Sequence, residues 1–252
     1  MAYKLTEENN WAPDFQEIED SIRNAEIRPR LMFVNYPHMP TGQAPDESLF
    51  EKLIAFAHAN NLLIIHDNPY SFILNDNPRS LLAVEGSREL VIELNSLSKS
   101  HNMAGWRVGI LAGSKAHVDE VMRFKSNMDS GMFLPLQLAA AKALQLGPEW
   151  FEDLNSIYRS RREKVFQLLD LLECRYSKKQ VGMFVWAAVP DSYSDGYALS
   201  DEVLYNANVF ITPGGIFGDA GTKYIRVSLC CPEERIVLAM DRVKEMQSVS
   251  SR

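Results

Sequence analysis

Two short apolar runs separated by one amphipathic stretch constrain the fold of this 252-residue chain more than any other feature. Residues 31–36 and 62–66 are dense in Leu, Ile, Val and Phe and too short for helices, so they read as buried strands. Between them Pro37, Pro40, Thr41, Gly42 and Pro45 break the chain into a turn. Asp46 follows where an N-cap belongs, ahead of a helix to about Asn60 with Leu49, Phe50, Leu53, Ile54 and Ala57 on one face. Strand, helix and strand at this spacing predict a βαβ unit, with a parallel sheet and a right-handed crossover. The run 62–66 is apolar enough to predict cover on both faces. Residues 90–94 and 108–112 add two further strands.

In an open α/β sheet the ligand sits beyond the carboxyl ends of the strands. Three polar stretches fall at that edge: the turn after Tyr36, the run Asp67-Asn-Pro-Tyr70, and Ser96-Leu-Ser-Lys99 in a polar loop. Arg107 follows shortly, between Gly105 and Gly109. An amine can form a Schiff base, and hydroxyls with a guanidinium can hold phosphate oxygens, so the set suits a phosphorylated aldehyde. An arbitrary Ser-x-Ser-Lys would be a solvated loop with a lone lysine. Likewise an isolated Asp67 would end a strand and open a proline turn, and an isolated Arg226 would pair with a surface carboxylate.

The whole run Ser96-Leu-Ser-Lys99 with Met-Ala-Gly-Trp-Arg107-Val-Gly109 resembles the lysine motif of class I/II aminotransferases, fold-type I enzymes dependent on pyridoxal phosphate (PLP). The resemblance implies Lys99 as the Schiff-base lysine and proton shuttle, and Ser96, Ser98 and Arg107 as phosphate ligands. It implies that Asp67 pairs with the pyridine nitrogen and that Tyr70 donates to the ring's phenolate oxygen. Residues 209–218 and the strand around Arg226 resemble the family's C-terminal segment, which implies Arg226 as the arginine that binds the substrate α-carboxylate. Asn35-Tyr-Pro-His-Met-Pro-Thr-Gly42 resembles the N-P-T-G turn, with Met39 where the family has an asparagine. A thioether cannot donate a hydrogen bond, so the ring oxygen is left to Tyr70 or to another donor. His66 and His101 are expected to pack or hydrogen-bond, and Trp106 to lie in the core.

Helices are expected over residues 118–125, 135–146 and, as a connector, about 148–173. Strands over 182–189, 209–212 and 223–229, a helix over 199–206, a loop over 213–218 and a last helix from Pro232 to about Met246 make a smaller α+β unit. The expected fold class is thus α/β, PLP-transferase fold type I. Residues 1–146 are the C-terminal part of the large PLP-binding domain, with an incomplete, mostly parallel sheet, and 147–252 are a small C-terminal domain. The resemblance leaves the family's N-terminal segment, with its Gly/Ser-rich phosphate loop and ring-stacking aromatic, expected to have no counterpart in these 252 residues.

The net charge of −7 gives no reason to expect nucleic acid or an anionic membrane as partner. No stretch is long and apolar enough for a transmembrane span, no signal peptide is visible, and the expected location is cytoplasmic. Cys174, Cys230 and Cys231 lack C-x-x-C spacing and are expected as free thiols, the adjacent pair packed at a strand end. The histidines show no metal-ligand spacing. The expected activity is amino-group transfer from an L-amino acid to a 2-oxo acid in a homodimer. A C–S lyase or decarboxylase on the same fold, or an inactive remnant or subunit that needs another chain, are the alternatives.

Overall fold

The computed structural model describes residues 1–250, the side chains of Glu47 and Ser250 excepted. It divides into two units, Met1–Pro37 with Ala44–Glu152, and His38–Gln43 with the chain from Asp153 onward. The first unit holds α1 (Phe15–Arg23), β1 (Leu31–Asn35), α2 (Glu47–Asn60), β2 (Leu63–Asp67), β3 (Val91–Ser96), α3 (Leu97–Ser100), β4 (Gly109–Gly113), α4 (Lys115–Met128) and α5 (Leu134–Ala143). Helix α6 (Pro148–Leu171) carries the chain into the second unit. There follow β5 (Arg175–Tyr176), β6 (Phe184–Ala188), α7 (Gly196–Ala207), β7 (Thr212–Pro213), β8 (Tyr224–Ser228) and α8 (Glu233–Ser250).

Asp46 caps α2 as its position predicts, its carboxylate accepting from the Leu49 N–H at 2.6 Å. The first sheet has the order β1-β2-β3-β4, with β1, β2 and β3 parallel. Strand β4 runs antiparallel to β3. The segment between them doubles back: Leu97 N–H donates to Val108 C=O at 3.2 Å and Met103 N–H to Leu97 C=O at 3.2 Å. Ile18 and Ile22 of α1 and Leu49, Phe50, Leu53 and Ala57 of α2 form one core with Met32, Val34 and Ile64 of the strands. The opposite face is open, with Leu31 and Phe33 exposed by 52% and 66% and Leu63 and Ile65 only half-buried. The expectation that β2 is covered on both faces is therefore corrected. Successive residues of a strand face opposite sides, and the described helices that enter this core bury only the even-numbered positions of β1 and β2.

The second unit is built on an antiparallel sheet of order β5-β6-β8-β7. The Gln180 amide ties down the start of β6, donating to Trp186 C=O and accepting from Trp186 N–H, both at 2.7 Å. The strand expected over 209–212 shrinks to β7, and the expected loop closes as a 3-10 turn over Gly214–Phe217. The turn His38–Gln43 joins this unit through Val181 N–H donating to Gly42 C=O at 2.8 Å. Gly42 has φ +67°, and a Cβ there would stand 2.9 Å from both Gln180 Cβ and Val181 O, so its place in the P-T-G turn needs glycine. Cys174 is buried, but Cys230 and Cys231 are exposed rather than packed.

Candidate active site

Parallel strands bring their carboxyl ends to one edge, and the register shows which residues meet there. Asn35 lies opposite Asp67, Asp67 opposite Leu94, and Ser96 opposite Gly109. From strand spacing and rise, the Cα atoms of Asp67 and Ser96 are roughly 8 Å apart. The doubling back of residues 97–108 returns Arg107 to the same edge, just ahead of β4. Asp67, Tyr70, Ser96, Ser98, Lys99 and Arg107 thus belong to one end of one sheet.

The stretch expected as a polar loop is the single helical turn α3. Ser96 caps it, its Oγ accepting from Ser98 N–H at 3.1 Å. Leu97 and Ser100 are buried while Ser98 and Lys99 are half-buried. Trp150 Nε1 donates to Ser100 C=O at 2.9 Å and holds the turn from the side. His101 packs as expected, stacked on Trp150 and bonded through Nδ1 to Ser100 Oγ at 2.8 Å. Trp106 is 47% exposed, not core as its sequence context predicts, because it lies on an open 3-10 turn, Ala104–Trp106, with no buried residue.

Among the described residues, the Lys99 amine and the Ser98 hydroxyl make no hydrogen bond. Arg107 is exposed and bonds through Nη1 to Ala104 C=O at 3.1 Å. It holds a left-handed backbone at φ 55° and ψ 45°, a conformation that costs a non-glycine residue roughly 1 kcal/mol and that clusters at functional sites. Asp67 is open to solvent on one side, yet the protein behind it removes enough water to raise its carboxyl above the ordinary value, with the neighbouring His66 opposing the rise. Tyr70 is half-buried in the turn that follows.

In the second unit Arg226 sits on β8 with Trp186 and Thr212 as its cross-strand neighbours. Its guanidinium lies over the rings of Phe184, at 4.1 Å, and Phe217, at 4.5 Å. Aromatic faces stack on the guanidinium plane and leave hydrogen bonding to its in-plane edge. One such contact runs from Nη1 to Met39 Sδ at 3.4 Å. Met39, which stands just before the P-T-G turn, is therefore a neighbour of the arginine.

One group of functional interest is not assigned a role by the sequence reading. Glu93, inside β3, is 8% exposed and accepts hydrogen bonds from Ser80 Oγ at 2.6 Å, Leu81 N–H at 3.1 Å and Asn68 Nδ2 at 3.2 Å. The fully buried His66 ring meets Glu93 Oε2 through Nδ1 at 3.2 Å and Tyr36 C=O through Nε2 at 2.9 Å. Burial works to raise the Glu93 carboxyl, but the hydrogen bonds from His66, Ser80 and Asn68 outweigh it and hold it below the usual range. The signal was present: a carboxylate inside an otherwise apolar strand needs partners.

An amine, a carboxylate on the adjacent strand, two hydroxyls and a guanidinium at one sheet edge fit a phosphorylated pyridine aldehyde by their chemistry. The family model described as aminotransferase class I and II matches residues 1–243. The LL-diaminopimelate aminotransferase of Dehalococcoides mccartyi strain 195 is 34% identical over 246 residues, covering 97% of this chain and 62% of that protein. The enzyme of the same name from Desulforudis audaxviator is 38% identical over 242 residues, covering 95% and 61%. Substrate-bound BacF from Bacillus subtilis superposes with a TM-score of 0.89 at 35% identity, covering 97% of this chain and 62% of that one. The aromatic aminotransferase from Pyrococcus horikoshii OT3 gives 0.86 at 26%, covering 97% and 66%. The chain thus spans about three fifths of the length of the curated relatives it matches.

Proposed function

The chain belongs to the class I and II aminotransferases, and from that premise we propose that it serves the transfer of an amino group from an L-amino acid to a 2-oxo acid with PLP as cofactor. PLP supplies an aldehyde that captures amines and a ring that withdraws electrons. Lys99 Nζ would hold the aldehyde and, once displaced by substrate, move the proton from the substrate α-carbon. Asp67 would keep the proton on the pyridine nitrogen, Tyr70 would donate to the ring oxygen, and Ser96, Ser98 and Arg107 would bind the phosphate. Arg226 would bind the substrate α-carboxylate through two parallel hydrogen bonds. In this reading residues 1–146 are the C-terminal part of the cofactor-binding domain and 147–252 the small domain, and the working assembly is a homodimer.

What supports the proposal is the gathering of Asp67, Tyr70, Ser96, Ser98, Lys99 and Arg107 at the carboxyl edge of β1–β3. The relatives' names make LL-diaminopimelate the first donor to test. The test is borohydride reduction of the 252-residue chain with PLP, followed by peptide mapping. The expected label sits on Lys99 and vanishes in Lys99→Ala. A label elsewhere, or none, counts against the proposal. Analysis of products distinguishes the reaction types: a keto acid formed with a 2-oxo acid acceptor supports transfer, and release of ammonia or sulfide refutes it.

A further inference from the structure

His66 is an unusual neighbour for an acid that faces a cofactor. It is fully buried and makes two hydrogen bonds, one to a carboxylate oxygen and one to a carbonyl oxygen. The Tyr36 carbonyl can only accept, so Nε2 carries a hydrogen. The Glu93 carboxylate already receives Ser80 Oγ, Leu81 N–H and Asn68 Nδ2. A carboxylate surrounded by donors is held ionised, and it too can only accept. Both acceptors are met only by a ring that carries a hydrogen on each nitrogen.

We infer that Glu93 holds His66 as a buried imidazolium, whose positive charge favours the carboxylate form of the adjacent Asp67. His66 and Glu93 are then positioning residues that act through Asp67. The inference rests on the reading of Asp67 as the acid paired with the cofactor's ring nitrogen. Among the described residues, the groups that meet His66 are the Glu93 carboxylate from β3, the Tyr36 carbonyl after β1, and the edge of the Phe50 ring from α2, at 5.3 Å between centroids. Glu93 is the charged group among them, and Asp67 follows on the same strand. Burial of an imidazolium without a partner would drive off its proton, so the charge depends on Glu93. Glu93 in turn is anchored by Asn68, whose Oδ1 accepts from Ser71 Oγ at 2.5 Å. The network thus ties the exits of β1 and β2 to β3 directly behind the proposed cofactor edge.

The test uses the full chain without cofactor, labelled with nitrogen-15 in its five histidine rings, at pH 8. An ordinary histidine, with a pKa near about 6.5, is neutral there. One ring, absent from the spectrum of His66→Gln, is expected to show both nitrogens protonated, and Glu93→Gln is expected to convert that ring to a neutral one. The Asp67 carboxyl, followed by carbon-13 titration, is expected to move up by about one pH unit in His66→Gln. A neutral His66 in the parent, an imidazolium that persists in Glu93→Gln, or an unmoved Asp67 each overturn the inference. If the variants do not fold, the parent spectrum decides by itself, with His66 identified through its contact with the Phe50 ring. A neutral His66 in a chain that still traps PLP on Lys99 refutes this inference and leaves the proposed function standing. An imidazolium and a shifted Asp67 without PLP trapping do the reverse.

Discussion

A guanidinium packed against two rings does more than carry a positive charge. Arg226 lies over Phe184 and Phe217, and the stacking fixes the plane from which its in-plane N–H groups reach out. Lysine at that position keeps the charge and loses both the plane and the second hydrogen bond. Arg226→Lys is expected to raise the KM for the amino-acid donor roughly tenfold to a hundredfold, the worth of one charged hydrogen bond. PLP affinity is expected to stay unchanged, and steady-state kinetics beside a PLP titration checks both. Asp67 is a second case in which one residue is set by opposing terms. Burial raises its folded pKa above the ordinary 3.8, so its ionised form weighs against folding. The chain is most stable, as far as this group is concerned, below the unfolded pKa, and loses that share as pH rises through the raised folded value. Asp67→Asn is therefore expected to melt higher than the parent at pH 7, with the gap closing at pH 3, while activity is lost. Thermal melts at the two pH values decide it. Glu93 has the opposite sign: its depressed pKa contributes stability above the unfolded value that is lost as pH falls through the folded one.

Elements differ in how much of their stability is their own. Helix α2 spans Glu47–Asn60 and carries a local start signal in Asp46 and a left-handed stop at Asn61, with φ 54°. Asp46→Ala is expected to cost about 1 kcal/mol in urea unfolding, with the carboxyl edge of β1–β3 unperturbed. A change in the denaturant slope as well as the midpoint would mean that more than a cap was lost. Helix α3 is the contrary case. A single turn cannot sustain itself in water. It exists because Leu97 and Ser100 are buried, Ser96 caps it, and the Trp150 indole bonds its last carbonyl. The position of Lys99 is thus decided by residues as distant in the chain as Trp150.

At the scale of the whole molecule the marked feature is apolar surface on the first unit. On α4 and α5 and the segment between them, Phe124, Met128, Phe133, Leu134 and Leu138 are each between 61% and 71% exposed. With the open sheet face at Leu31 and Phe33, this is more apolar surface than a monomer ordinarily leaves in water. The 252-residue chain is expected to self-associate with rising concentration, and Phe133→Ser with Leu138→Ser to weaken that association. Sedimentation velocity measures it, and a concentration-independent monomer would contradict it. Among the described residues no helix is long and apolar enough to cross a membrane.

Hydrophobic period, cap chemistry and turn residues act over a few positions, and what they control was legible in the sequence. The βαβ unit, the Asp46 cap and the arrival of Asp67 and Ser96 at one strand edge all follow from neighbours close in the chain. The remainder depends on which distant groups come into contact. Nothing local in Ser96-Leu-Ser-Lys99 separates a loop from the turn of α3, and nothing around Trp106 says that no element covers it. The reversal of β4, the one-sided cover of β2, the rings packed against Arg226 and the pairing of His66 with Glu93 are likewise contacts between separated segments. The chain itself determined which chemical groups stand at the ends of which strands, because side-chain periodicity and capping are short-range. Tertiary structure alone decided how those groups are oriented and charged, because burial and partners are supplied from elsewhere in the fold.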